Sequence, residues 1–281
     1  MNPKELSTDN HDRDSANLRY VYPVVSRRAG GVSVGINLNT NNACNWRCIY
    51  CQVPNLVRGS APPVDLELLG KELRLFLSEA LHGDFMATRV PEDARHIEDV
   101  AFSGNGEPTS AREFPEAVEL VLRVLEETGL AGRIKLRLIS NGSLLDNPRV
   151  RSGIALLGRN NGEVWFKADA GTGEAILRIN GVQLAPEGVA RRLRRCAELC
   201  PTWVQTCCFA LDGFAPSEAE LTAWLTMLAH AKDSLAGVHL YGLARPSQQA
   251  EAPRLARLPR EWLEALAERV RELGLAVRVS P

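Results

Sequence analysis

The sequence predicts an α/β protein built on a parallel sheet that closes into a full or partial (β/α) barrel. Two observations predict this. Short β-branched or apolar runs alternate with longer amphipathic stretches, and roughly six such alternations follow one another without an internal repeat. Strands separated by helices form βαβ units with right-handed crossovers, and their functional groups gather at the C-terminal ends of the strands. At 281 residues and 45% hydrophobic, the chain is long enough to bury a full core around that sheet.

In chain order, strands are expected over 33–38, 97–102, 135–139, 163–168, 203–210, 237–242 and 276–279. Helices are expected over 65–81, 114–128, 147–157, 186–199, 217–232 and 260–273. Asp65 precedes the first helix as a cap, Pro186 opens the fourth, and Gly274 follows the last. Alternation places Trp165, Lys167 and Asp169 on one face of the fourth strand. A lysine and an aspartate turned inwards together are expected to pair. Gln205, Cys207 and Phe209 share a face of the fifth strand, and His239 and Tyr241 share one on the sixth.

The formal net charge of −1 provides no global field for nucleic acid or anionic lipid, so nucleic-acid binding lacks support from charge. The basic run Arg191-Arg-Leu-Arg-Arg195 reads as a solvated helix face. No apolar run approaches the roughly 18 residues that span a bilayer. Residues 1–17 are polar and read as a mobile tail, 18–281 as one domain, and the compartment as cytoplasmic.

Seven cysteines in a reducing compartment argue against a disulfide framework. Three stand within one polar loop after the first strand, as Cys44-Asn-Trp-Arg-Cys48-Ile-Tyr-Cys51. Four thiolates usually hold a [4Fe–4S] cluster. Three would leave one iron open, and the amino and carboxylate groups of S-adenosylmethionine (SAM) can fill that position. Structural zinc is the competing reading, but it wants a fourth Cys or His at finger-like spacing, and the nearest downstream histidine is His82. Three unrelated buried thiols are the other. The remaining cysteines fall at 196, 200, 207 and 208. The first two share a helix face, while Cys207 and Cys208 must point opposite ways on a strand, so the four read as small buried side chains. Cys207 on the lumen side is also a candidate hydrogen-atom donor.

The C-x3-C-x2-C spacing, with an aromatic before the last cysteine, resembles the radical SAM superfamily. That resemblance implies a partial (β/α)6 barrel, here with a C-terminal strand/helix extension, and one cluster on Cys44, Cys48 and Cys51. It places Tyr50 near the SAM adenine. After the second strand, Asn105-Gly106-Glu107-Pro108 is similar to the family's Gly-Gly-Glu-Pro, which contacts the SAM amino group, with Asn in place of the first glycine. After the third, Ser140-Asn141-Gly142 resembles the motif that faces the SAM ribose or carboxylate. Lys167, Asp169 and Cys207 are then candidate catalytic residues.

Tyr22-Pro-Val-Val-Ser26-Arg27-Arg28, Phe102–Thr109 and Arg178-Ile-Asn180 resemble iron–sulfur oxidoreductases related to wyosine-forming tRNA enzymes. The archaeal tRNA enzymes carry a second cluster on N-terminal cysteines, for which this chain has no cysteine before Cys44. The implied activity is hydrogen abstraction from a small-molecule or nucleoside substrate, with flavodoxin or ferredoxin as electron donor. The competing activities are an activase or peptide-modifying enzyme, and a non-enzymatic metal-binding protein.

Overall fold

The computed structural model describes residues 6, 16–26 and 30–281. Arg27 and Arg28, and nearly all of the expected 1–17 tail, lie outside the described residues. Leu6 is buried and its N–H donates to the Arg89 carbonyl at 2.7 Å.

The chain runs β1 (Val21–Val25), β2 (Val32–Ile36), β3 (Ala43–Cys44), β4 (Val57–Arg58), α1 (Leu66–His82) and α2 (Phe85–Arg89). It continues with β5 (Ile97–Phe102), α3 (Phe114–Glu127), β6 (Lys135–Ser140), α4 (Pro148–Arg159) and β7 (Gly162–Lys167). Then come α5 (Gly173–Asn180), α6 (Pro186–Leu199), β8 (Thr202–Cys208), β9 (Ala210–Leu211) and α7 (Glu218–Ala229). The last elements are β10 (Gly237–Gly242), β11 (Leu255–Ala256), α8 (Arg260–Arg271) and β12 (Val277–Ser280).

One eight-stranded sheet, in the order β1-β2-β5-β6-β7-β8-β10-β12, curls into a half-barrel. From β2 onwards every neighbour is parallel, as expected. β1 is the exception. It lies antiparallel on β2 and was not expected as a strand, because Pro23 interrupts its ladder. An edge strand tolerates proline, since one side of its backbone needs no partner. The expected helices and strands otherwise agree to within three residues at their ends. α5 was missed because Gly171, Gly173 and Gly181 make it look like a loop, although Thr172 caps it and Gly181 ends it in the left-handed conformation at φ 66°.

Alternation along the strands sorts the side chains. Val34, Ile36, Val100, Phe102, Leu136 and Leu138 face the helices and form the main core. Further round the sheet Val164, Phe166, Val204, Val238 and Leu240 do the same. On the other face stand Ser33, Asp99, Arg137, Lys167, Gln205 and Tyr241, all lining one cavity. A parallel sheet is ordinarily apolar on both faces. A polar concave face marks a ligand cavity instead of a second core.

The helices are secured by ordinary local chemistry. Asp65 accepts from Leu68 N at 3.0 Å to cap α1, and Ser217 and Glu220 form a reciprocal capping box on α7. The basic run of α6 is largely spent on its surroundings: Arg195 pairs with Asp146 at 3.1 Å and Arg194 donates to the His230 carbonyl.

Candidate functional site

All three cysteines of the triplet line a cavity of about 270 Å3 at the C-terminal ends of the strands. Their loop is held from two sides by segments far away in sequence. At the end of α5, the Ile179 and Asn180 carbonyls accept from Ile49 N (2.8 Å) and Arg47 N (3.0 Å). From the loop after β10, Ser247 Oγ lies 2.7 Å from the Ile49 carbonyl and 3.1 Å from that of Cys51. Gln248 N and Gln249 Nε2 also reach the Cys51 carbonyl, and Gln249 Nε2 reaches Val53 O at 3.0 Å. Arg58 adds a clamp, donating to the Asn45 carbonyl at 3.0 Å and to that of Gly181.

The sulfurs themselves receive N–H donors. Trp46 N lies 3.4 Å from Cys44 Sγ, and Asn180 Nδ2 lies 3.3 Å from Cys48 Sγ. Burial pushes the Cys44 thiol up to about 11 and the Cys48 thiol up to about 12. Neither is therefore a free nucleophile at neutral pH, and a bound metal is what would draw off their protons. Among the described residues no three Cys, His, Asp or Glu side chains gather tightly enough for a single ion. Tetrahedral zinc holds thiolates at about 2.3 Å and needs such a tight group. Cysteine thiolates are also the donors that hold an iron–sulfur cluster, and this loop brings three of them to the cavity.

The loops after β5 and β6 meet on Glu107. This carboxylate is 2% exposed. Its Oε1 accepts from Ser140 Oγ (2.7 Å), Thr109 Oγ1 (2.6 Å) and Thr109 N (3.2 Å), and its Oε2 from Asn141 N (2.7 Å). Four acceptor positions are about what a carboxylate offers. Glu107 lines the cavity, and its carboxylate also braces the loop after β5 against the loop after β6. Burial raises its pKa, and these bonds oppose the shift.

A Cβ on Gly106 would stand 2.0 Å from the Ala43 carbonyl, so only glycine lets the loop lie this close to the cysteine loop. Asn105 donates from Nδ2 to Asn42 Oδ1 at 2.6 Å, while its Oδ1 is buried without a hydrogen-bond partner. Asn141 lines the cavity and donates to Asn45 Oδ1 at 2.9 Å. Ser140 and Pro108 are buried behind the cavity wall.

Lys167 and Asp169 do not pair as expected. Asp169 Oδ2 accepts from Tyr50 Oη at 2.5 Å and Asn180 Nδ2 at 2.8 Å, and its Oδ1 accepts from Cys207 N at 3.0 Å. With its lone pairs so used, it orients Tyr50 and the cysteine loop. Lys167 instead lies over the Tyr50 ring, 4.9 Å from its centroid, and 3.4 Å from Tyr241 Oη. Burial alone would lower its pKa, but Tyr241 and Asp169 outweigh it and the ammonium stays charged. Among the described residues it has no salt-bridge partner, and it lines the cavity. Gln205, its register partner on β8, is 1% exposed with Nε2 unpartnered.

Cys207 faces the lumen and packs with Ile49, Tyr50, Phe209 and Leu243, whereas Cys208, Cys196 and Cys200 belong to the helix-side core. The four are thus divided between the two faces of the sheet.

Deeper in the barrel the lumen is closed by a stack across five strands. Arg137 lies over Trp165 at 5.0 Å, and His239 sits between Trp165 (4.6 Å) and Trp203 (4.8 Å). Arg278 covers the far face of Trp203 at 4.2 Å. His239 is therefore part of the floor and not a group offered to a ligand.

No family model matches the chain. Three solved structures share its architecture across nearly all of its length. TYW1 with a lysine–pyruvate adduct bound matches with a TM-score of 0.57 at 17% identity, over 88% of this chain and 74% of that one. A radical SAM methyltransferase from Sphaerobacter thermophilus matches at 0.59 and 15%, over 89% and 66%. SuiB from Streptococcus suis, bound to S-adenosylmethionine, matches at 0.52 and 12%, over 88% and 45%. The chain has the fold of radical SAM enzymes.

Two curated proteins are similar in sequence. A protein named GTPase Obg from Brachyspira hyodysenteriae is 27% identical over 156 residues, 54% of this chain and 20% of that protein. A UPF0026 protein from Synechocystis sp. is 25% identical over 161 residues, 57% of this chain and 52% of its own length. The aligned part thus spans about half or less of these curated relatives.

Within the radical SAM fold, the structure brings Cys44, Cys48, Cys51, Tyr50, Asn105 and Gly106 to one cavity. Glu107, Asn141, Lys167 and Cys207 join them there. Sequence reading missed the supports: Ser247 and Gln249 on the loop after β10, Arg58 beside the triplet, and the brace role of Glu107. Their positions after strand ends were the available signal. Nothing in the local sequence says which backbone carbonyl a serine 198 residues away will meet.

Proposed function

We propose that this chain is a radical SAM enzyme. Cys44, Cys48 and Cys51 hold one [4Fe–4S] cluster, and SAM binds against the loops after β5 and β6. The strand–helix repeats from β2 to α8 are read as the (β/α)6 unit, and β12 as its extension. With cluster and SAM bound, one electron splits SAM into methionine and a 5′-deoxyadenosyl radical that takes a hydrogen atom from substrate. The observation that carries the reading is the convergence of three thiols, in C-x3-C-x2-C spacing, on a cavity whose other wall is the polar concave face of the sheet.

The chain's own residues divide the work. Gly106 allows close approach of backbone, and Asn105 and Asn141 offer polar contacts to SAM. Tyr50, oriented by Asp169, forms an aromatic wall beside the cluster loop. Lys167 holds a positive charge in a site shielded from water, where it contacts an anionic or carbonyl group of a small-molecule or nucleoside substrate. The floor of stacked Trp165, His239 and Trp203 limits how deep that substrate reaches. A flavodoxin or ferredoxin delivers the electron.

The test is anaerobic reconstitution with iron and sulfide, then dithionite and SAM, with 5′-deoxyadenosine read by mass spectrometry. We expect roughly four irons per chain, and production of 5′-deoxyadenosine. Alanine at Cys44, Cys48 or Cys51 should abolish both. Zinc in place of iron would make the chain a metal-binding protein of another kind and overturn the proposal.

A further inference from the structure

Asn180 ends α5, is 1% exposed, and joins three parts of the site at once. Its carbonyl accepts from Arg47 N at 3.0 Å, inside the cysteine loop. Its Nδ2 donates to Cys48 Sγ at 3.3 Å and to Asp169 Oδ2 at 2.8 Å. The orientation of the amide follows from chemistry. Both partners are acceptors, and the opposite orientation would set the amide oxygen against a carboxylate and a sulfur. The helix end that carries it is fixed by the left-handed Gly181, where a Cβ would come 2.9 Å from the Arg47 carbonyl.

We infer that Asn180 is a positioning residue that sets the reduction potential of the cluster held through Cys48. This rests on the cluster reading proposed above. An N–H aimed at a cluster sulfur stabilises the more negative, reduced state more than the oxidised one, and so raises the potential. The donor itself is buried, so the hydrogen bond is little screened by water. Trp46 N supports Cys44 through the main chain, but Asn180 supports Cys48 through a side chain, so its contribution can be removed by substitution.

The experiment compares reconstituted wild-type chain with Asn180→Leu, which has the same branching, somewhat more bulk and no donor. Iron per chain is measured first. The cluster is then titrated with dithionite in the presence of mediators and followed by electron paramagnetic resonance. We expect the Leu variant to keep the wild-type iron content and to shift its midpoint about tenfold towards the oxidised state, or about 59 mV more negative. An unchanged midpoint at full iron content overturns the inference. Should the Leu variant lose its cluster, Asn180→Ala, smaller and without a donor, is expected to show the same negative shift. Loss of the cluster from both variants, with unaltered melting of the protein, would also overturn the inference, since the amide would then serve assembly and not poise. A wild-type chain that takes up no iron refutes the cluster reading itself, a result distinct from either.

Discussion

Replacing Arg137 with methionine tests the charge network at the base of the lumen. The guanidinium, its side chain 5% exposed, bonds Asp99 (2%) and reaches Glu163 (8%) at 2.6 Å. Glu98 lies 3.3 Å away on the half-buried side. Methionine keeps an apolar stem against Trp165 and removes only the charge, leaving two buried carboxylates without their cation. Removing one partner of such a network costs about 3–5 kcal/mol.

The pH dependence separates this cause from lost packing. In the native chain, burial alone would raise the Glu163 pKa, but Arg137 and the Trp165 N–H hold it below the usual carboxylate range. A depressed pKa stabilises above the unfolded value and is lost as pH falls. In the variant the sign reverses. Unpaired and buried, the carboxylates take up protons on folding, so stability falls as pH rises above about 4.5. Each group protonated in the folded state and ionised in the unfolded one contributes a slope of about 1.4 kcal/mol per pH unit. Urea unfolding followed by circular dichroism at pH 7.5 and 5.5 measures the effect. We expect a deficit of about 3–5 kcal/mol at the higher pH that shrinks at the lower. A deficit under about 1 kcal/mol, or one equal at both pH values, would refute the reasoning.

Glu107→Gln swaps one acceptor oxygen for an NH2 group that faces either Ser140 and Thr109 or Asn141 N, and should cost about 1–3 kcal/mol in thermal unfolding and weaken SAM binding; unaltered stability would remove Glu107 as a brace. Gly106→Ala drives a Cβ into the Ala43 carbonyl beside Cys44, so iron per chain after reconstitution should drop, and full iron content would show that the loop yields. Lys167→Met removes a half-buried charge that has no salt-bridge partner among the described residues, so stability should hold or rise while SAM or substrate binding weakens. A loss of more than about 1 kcal/mol on melting would mean that the lysine is a structural ion-pair member after all.

Much of the fold was legible because local rules carry it. Period-two alternation on β7 placed Trp165 and Lys167 together, and the structure has both lining the cavity. Caps at Asp65 and Pro186 placed helix starts within a residue. β1 escaped notice because a proline in a short strand reads as a break until an edge position is known. α5 escaped because glycine at both ends hid eight helical residues.

The sequence by itself determined which atoms are available to the chemistry: three thiols at C-x3-C-x2-C spacing, a small residue beside Glu107, and polar side chains sharing a face on the fourth, fifth and sixth expected strands. Those are properties of neighbours along the chain, where bond geometry sets spacing and direction. Only the tertiary structure decided how the atoms are spent. It made Glu107 a brace between two loops, separated Lys167 from Asp169, and set Asn180 and Ser247 against the cysteine loop across 132 and 198 residues. Each outcome is a competition for hydrogen-bond partners among groups brought together by packing, and spacing along the chain does not encode who wins it.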